Sequence, residues 1–312
     1  MTDPLQPPLT YRLCSFPYDP VAEQHYYRLF LPSDNEPHGY MLPEVVKKMP
    51  WTSLFAIDDS NRTIQILDSS HGKDTATVVN LAFSDVVSTC IGQDLFHVLC
   101  RQHSEPFAIP GARYSSPVYV ERFAAALFGV TSRGAHMVAY RIEESGMKVW
   151  IPRRSTHLYT YPGMLDTTVA GGIKSCVSPF QTILEEADEE ASLPEALIRE
   201  RACCRGVISH MNVTGDDFPG EKGLVTPDFV YIYDIELPQD VIPRPHDDEV
   251  SGFTLMSVEE LKSALLREEF KPDSAAVLVE FLIRHGVLTP ENEPDFVEIN
   301  MRLHRRLPLR TG

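Results

Sequence analysis

The chain has 312 residues, 43% hydrophobic and 23% charged, enough apolar surface for one large domain or two of ordinary size. Its 44 acidic against 28 basic residues give a formal charge of −16, which removes the basic footprint of a nucleic-acid binder and predicts repulsion from an anionic membrane. Six cysteines with no C-x-x-C pair are too sparse for a disulfide scaffold and predict reduced thiols in a cytoplasmic protein.

Met1 to Tyr11 has three prolines before Leu9, no apolar core and no arginine, so neither a secretory signal nor an organellar leader is expected. No apolar run is expected to approach the roughly 18 residues of a membrane span. Tyr40 to Met49 carries Met41, Val45 and Met49 at helical spacing. Leu54 to Ile57, Asp58 to Asn61 and Thr63 to Leu67 read as strand, turn, strand. Phe83 to Gln102 reads as a helix with Ser84 and Asp85 near its start. Beyond the turn-forming stretch from Pro110 to Pro117, strands are expected at Phe128 to Val130, His136 to Ile142 and Val149 to Pro152. Cys203-Cys204 is read as buried packing on a short helix. Phe229 to Leu237 and Phe253 to Met256 read as strands. Ser257-Val-Glu-Glu260 is a capping box opening a helix to about Glu269. Ala275 to His285 reads as a helix with Gly286 past its end, and one more helix is expected between Pro290 and Leu307. Strands that flank helices without regular βα alternation predict an α/β sandwich rather than a doubly wound sheet.

The stretch from Ala170 to Leu193 carries the chemistry. Ser178 with Gln181 forms a capping box, Pro179 suits the first helical position, and the helix is predicted over Pro179 to Ala191. Phe180, Ile183, Leu184, Ala187 and Ala191 define its buried stripe. Glu186, Glu189 and Glu190 are related by i, i+3 and i+4 and share another face. Their mutual repulsion would be offset by a hard divalent cation with oxygen ligands. The competing reading is a solvated acidic face. Against it, no lysine or arginine lies between Cys176 and Ile198, and Gly171-Gly172 precedes the helix as a phosphate-facing turn would.

This stretch resembles a Nudix box, G-x5-E-x7-R-E-U-x-E-E-x-G-U, where U is bulky and aliphatic. Gly171, Glu186, Glu189, Glu190 and Leu193 match, and Ala187 stands for the middle aliphatic residue. Val177 replaces the loop glutamate, Glu185 the arginine and Ser192 the last glycine. From about Tyr11 to Leu307 the chain is similar to a eukaryotic Nudix subfamily described as thiamine-pyrophosphokinase-related. The landmarks are Gly39-Tyr-Met-Leu-Pro43, Trp150-Ile-Pro-Arg-Arg-Ser155, Tyr161-Pro-Gly-Met-Leu-Asp166, Thr168-Val-Ala-Gly-Gly172, Phe270-Lys-Pro272 and the run from Arg284 to Pro294. The subfamily has Asp-Asn-Thr-Val where this chain has Asp166-Thr167-Thr168-Val169.

The resemblance implies a Nudix α/β/α sandwich with a mixed sheet over 127–312, preceded by a smaller α+β domain over 1–126. It implies hydrolysis of a small-molecule diphosphate, thiamine diphosphate or an oxidised or damaged analogue, to monophosphate and phosphate. Mg²⁺, or Mn²⁺ in its place, would be held by Glu186, Glu189 and Glu190 and would activate the water. The general base is one of these or Glu249, in the loop acid position of His246-Asp-Asp-Glu-Val250. At most one of the neighbouring strand residues Arg153 and Arg154 should fork onto phosphate. Trp150 and Tyr161 are candidates to stack on a heteroaromatic ring, with core packing as the competing role. No nucleic-acid or membrane partner is expected. Two alternatives stay open: a Nudix-fold ligand binder with weak or no hydrolysis, and a hydrolase of a nucleoside or isoprenoid diphosphate.

Overall fold

The computed structural model describes residues 15–17, 23–99, 104–216 and 218–311. The Met1 to Tyr11 leader reading, Cys14, Cys100 and the end of the helix expected to reach Gln102 lie outside the described residues.

The N-terminal third forms a four-stranded sheet of order β2-β1-β4-β3: β1 (Tyr27–Phe30), β2 (Gly39–Met41), β3 (Phe55–Asp58) and β4 (Thr63–Ile66). The expected β3–β4 hairpin is present. The Asp58 carboxylate closes its turn by accepting from the backbone N–H groups of Ser60 and Asn61. The Tyr40–Met49 stretch is helical only over α1 (Pro43–Lys48), because Tyr40 and Met41 pair in β2 instead. The following helix starts earlier than expected: α2 spans Thr75–Gly92 rather than Phe83 onward. Ala76, Val79, Ala82, Phe83, Val86, Val87 and Cys90 all face the core, so the buried stripe begins seven residues before Phe83. This helix is also long and apolar enough to cross a membrane, at mean hydropathy 1.3, against the expectation that no segment would be; here its apolar stripe is buried.

A two-stranded ribbon follows, β5 (Pro106–Ala108) against β6 (Tyr119–Glu121). Phe128 to Val130 is not a strand. It ends the short helix α3 (Ala125–Phe128), where Gly129 takes φ 60° and lies so close to Tyr40 that a Cβ would stand 2.0 Å from its carbonyl oxygen.

The second sheet has the order β10-β11-β7-β8-β12, from β7 (Ser132–Glu143), β8 (Gly146–Arg154), β10 (Cys203–Val213), β11 (Val225–Glu236) and β12 (Val250–Ser257). β7 runs parallel to β11, and β9 (Val169–Gly172) joins β7 antiparallel along Gly134 to Met137. The sheet is mixed. Alternation along β7 divides its two faces. Ala135, Met137 and Ala139 meet α4 (Pro179–Ala191) and α5 (Glu195–Arg201), while Val138 meets α6 (Val258–Leu266), α7 (Pro272–Arg284) and α8 (Phe296–Leu303). The result is an α/β/α sandwich preceded by the smaller α+β unit. Cys203 and Cys204 open strand β10 and are exposed, which corrects the reading of a buried helical pair. The residues before them close α5, and the chain turns extended at Ala202.

Candidate active site

Helix α4 has the limits its sequence predicts. The Ser178 hydroxyl accepts from the Gln181 N–H at 3.1 Å, Pro179 takes the first turn, and Ile183, Leu184, Ala187 and Ala191 bury against the sheet. Only half of the expected capping box forms. The Gln181 side chain donates to Glu185 at 3.0 Å instead of reaching back to Ser178. At the far end Ser192 adopts φ 52°, the left-handed cap that glycine fills most easily, and Leu193 is buried behind it.

The acidic face of α4 lies on β9. Glu190 is 6% exposed, and its carboxylate accepts the Ala170 N–H at 2.9 Å. Glu186 lies over Gly171, where a Cβ would stand 2.4 Å from its Oε1. Gly171 and Gly172 are therefore strand residues that admit close neighbours, not members of a phosphate-facing turn. Glu189 points to solvent. The loop before β12 is laid along the last turn of α4: Arg244 N–H donates to Ala191 O at 3.0 Å, Asp247 N–H to Glu189 O at 3.0 Å, and His246 Nδ1 sits 2.9 Å from Asp188 O. These bonds satisfy carbonyls a helix end leaves open, and they carry Glu249 to the acidic face.

The electrostatics follow. The Glu186 carboxyl is pushed up to about 7 by burial, with the charges of Glu189 and Glu249 adding and those of Lys174 and Arg122 opposing. Burial also raises Glu190 well above the ordinary carboxyl range, aided by Glu186, Asp166 and Glu249. Among the described residues no three His, Cys, Asp or Glu side chains close to metal-binding geometry, so the three box glutamates share a neighbourhood without converging on a point. The reason is physical: like charges spread, Glu190 is drawn to Ala170 and Glu189 to water. The donor set nevertheless fits a divalent cation. It is all oxygen, and its two inner carboxyls have burial and the charge of neighbouring carboxylates against ionisation, a cost that a hard cation removes.

The remaining candidates divide. Arg153 is exposed, donates to Gly163 O at 2.8 Å and faces away from Arg154, as strand alternation requires. Arg154 pairs with Asp166 at 3.1 Å and donates to Thr160 O at 3.1 Å. Both guanidiniums are tied to protein oxygens. Trp150 is 7% exposed in the core under α4, with Arg141 over its ring at 5.6 Å, so its stacking role is replaced by packing. Tyr161 lines a cleft of about 590 Å³ on the other face of the sheet, with Met164, Phe270, His210, Asp228 and Asp273.

Sequence reading missed this cleft's acids. Asp228 is pushed up to about 8 by burial, with the Asp273 charge adding. Burial opposes ionisation of Asp273 too, yet Lys271, 3.1 Å away, holds it below the ordinary range. His210 is buried with neither ring nitrogen hydrogen-bonded. Asp166 links the two regions: its charge acts on Glu190, and it pairs with Arg154 and, at 3.8 Å, with Lys271. A hint was present in Asp228, a charged residue next to the apolar run Phe229 to Tyr233 of β11.

Residues 132–281 match the model of the NUDIX domain. An uncharacterised protein of Saccharomyces cerevisiae is 42% identical over 200 residues, 62% of this chain and 58% of its own length. Nudix hydrolase 20, chloroplastic, of Arabidopsis thaliana is 35% identical over 211 residues, 64% of this chain and 54% of its own. The chain thus spans a little over half the length of these relatives. A solved structure from Deinococcus radiodurans aligns at a TM-score of 0.36 and 23% identity, covering 48% of this chain and 82% of that one.

Proposed function

We propose that this chain, whose residues 132–281 match the model of the NUDIX domain, is a divalent-metal-dependent hydrolase that cleaves the anhydride bond of a small organic diphosphate. The observation that carries the reading is the acidic face of α4: Glu186, Glu189 and Glu190 on one helix, with Glu249 brought beside them by the docked loop. Mg²⁺ held by the three helix glutamates would withdraw phosphoryl charge and acidify a water. Glu249 is the proton acceptor this chain offers from outside the helix. Water adds to one phosphorus, the bridging P–O bond breaks, and the organic monophosphate and phosphate leave.

The cleft, joined to the acidic face through Asp166, whose charge acts on Glu190 and which pairs with Lys271, supports a thiamine-type organic group. Its volume suits a small heterocycle, Tyr161, Met164 and Phe270 offer apolar contact, and the ionised Asp273 suits a cationic ring or an exocyclic amine. Binding without turnover is favoured by one observation: Glu185 is bonded to Gln181 and Val177 has no charge, so the box lacks its own ion pair.

Thiamine diphosphate, its oxidised analogues, nucleoside diphosphates and isoprenoid diphosphates, each with Mg²⁺, should be assayed for phosphate release. The thiamine group is expected to turn over fastest, and Glu190→Gln should lower turnover by about a hundredfold while the fold survives. No phosphate release from any diphosphate, with binding retained, would establish the binder instead.

A further inference from the structure

The loop that joins β9 to α4 is gripped from the side opposite the glutamates, and the grip comes from the N-terminal part of the chain. Strand residues alternate. Gly171 turns toward Glu186; Gly172 turns the other way, toward Phe107, where a Cβ would stand 2.6 Å from the ring's Cζ. Phe107 is buried on β5 of the two-stranded ribbon. One residue before it, the Pro106 carbonyl accepts the Ser175 N–H at 2.7 Å. One further back, Glu105 pairs with Lys174 at 3.5 Å and with Arg122 at 2.7 Å. Arg122, just past β6, donates its N–H to Glu105 O at 3.0 Å and places its guanidinium 5.7 Å from the Phe107 ring centre. The β9 strand and its loop are thus held between Glu186 and this ribbon.

The box itself has no arginine and no loop glutamate, since Glu185 and Val177 stand in those places. An acid–arginine pair is nonetheless present at the loop, supplied from elsewhere in the chain. Its cation, with Lys174, is one of the two positive groups whose charge acts on Glu186.

We propose that the Glu105–Arg122 pair of the N-terminal region substitutes for the missing ion pair of the box, with Arg122 as a positioning residue that holds the Gly171–Ser175 segment and Glu186 in their working geometry. The inference rests on the hydrolase reading for its kinetic consequence only. It gives the N-terminal unit a role in the chemistry of the other.

The test uses the full chain with Arg122→Ala, Arg122→Lys and Glu105→Gln, and Glu190→Gln as the control for the hydrolase reading. Arg122→Ala is expected to lower kcat by about tenfold or more with KM moved less than about threefold, as misplacement near a phosphoryl centre does. Arg122→Lys should recover most of the loss. Glu105→Gln combined with Arg122→Ala should cost clearly less than the sum of the two single losses, because the two act through one pair, with the Glu105–Lys174 contact as the remainder. Melting temperatures should stay within about 2 °C of wild type, since the pair is partly exposed. Hydrogen exchange, read without substrate or metal, should rise at residues 172–178 in Arg122→Ala. Wild-type kinetics in Arg122→Ala, with Glu190→Gln inactive, would overturn the inference and leave the hydrolase reading standing. If the wild type releases phosphate from no diphosphate, the exchange measurement decides: unchanged protection at 172–178 overturns the inference, and raised protection loss upholds the positioning role.

Discussion

Gly171 is small because Glu186 occupies the space its side chain would take. Gly171→Ala should therefore leave the sheet intact, as the obstructing atoms are the end of a flexible side chain, and push the Glu186 carboxylate off β9. Turnover should fall by about tenfold or more with a melting temperature within a few degrees of wild type; unaltered kcat would show that Glu186 needs no such seat. Glu185 illustrates the opposite case. Its position in the box suggests a fourth acid near the metal site, but Gln181 holds it on the outer face. Glu185→Ala should leave Mg²⁺ affinity by calorimetry unchanged, and loss of binding would make it a ligand. Which glutamates share a face was readable from i, i+3 and i+4 spacing. That Glu190 would be buried against the Ala170 N–H and Glu189 left in water was not, because the difference depends on where β9 lies.

Among the elements, α4 was the most legible. Ser178, Pro179 and the apolar stripe act within a few residues of one another, so the predicted limits Pro179 to Ala191 are the observed ones. Helix α2 was less legible: its first two turns, Thr75 to Ala82, are rich in β-branched residues that propensity disfavours, and burial against the first sheet overrides that preference. The loop from Arg244 to Glu249 has no periodicity at all. Its conformation is set by the open carbonyls at the end of α4, and His246 is its one side-chain anchor there. His246→Ala keeps the two backbone bonds from Arg244 and Asp247, so Glu249 should loosen without being lost. A severalfold drop in kcat is expected, against a much larger drop for removal of Glu190. An effect as large as that of Glu190→Gln would mean that His246 itself acts in the reaction.

Across the whole molecule the two faces of the second sheet carry different electrostatics. The α4 face holds glutamates that call for a cation; the α7 face holds a cleft with Asp228, whose carboxyl is raised from 3.8 to about 8. In that pH range the folded chain keeps the Asp228 proton while the unfolded chain has shed it. Stability therefore falls as pH rises from about 3.8 through about 8 and levels off above. Asp228→Asn removes this cost. It should raise the melting temperature at pH 8.5 by at least about 3 °C, and the gain should shrink toward pH 5. A gain independent of pH would show that Asp228 is ionised in the fold.

The sequence by itself determined the class of architecture, the limits of α4 and the shared face of Glu186, Glu189 and Glu190. Each depends on hydrophobic period, cap chemistry or short spacing, and those act over one or two turns of chain. Only the tertiary structure decided that Glu249 reaches the acidic face, that Trp150 is core, that Arg153 and Arg154 are held by protein oxygens, and that Glu105 and Arg122 close on the box loop. Those outcomes join residues tens of positions apart, and sheet order and packing, rather than any local preference, bring them together.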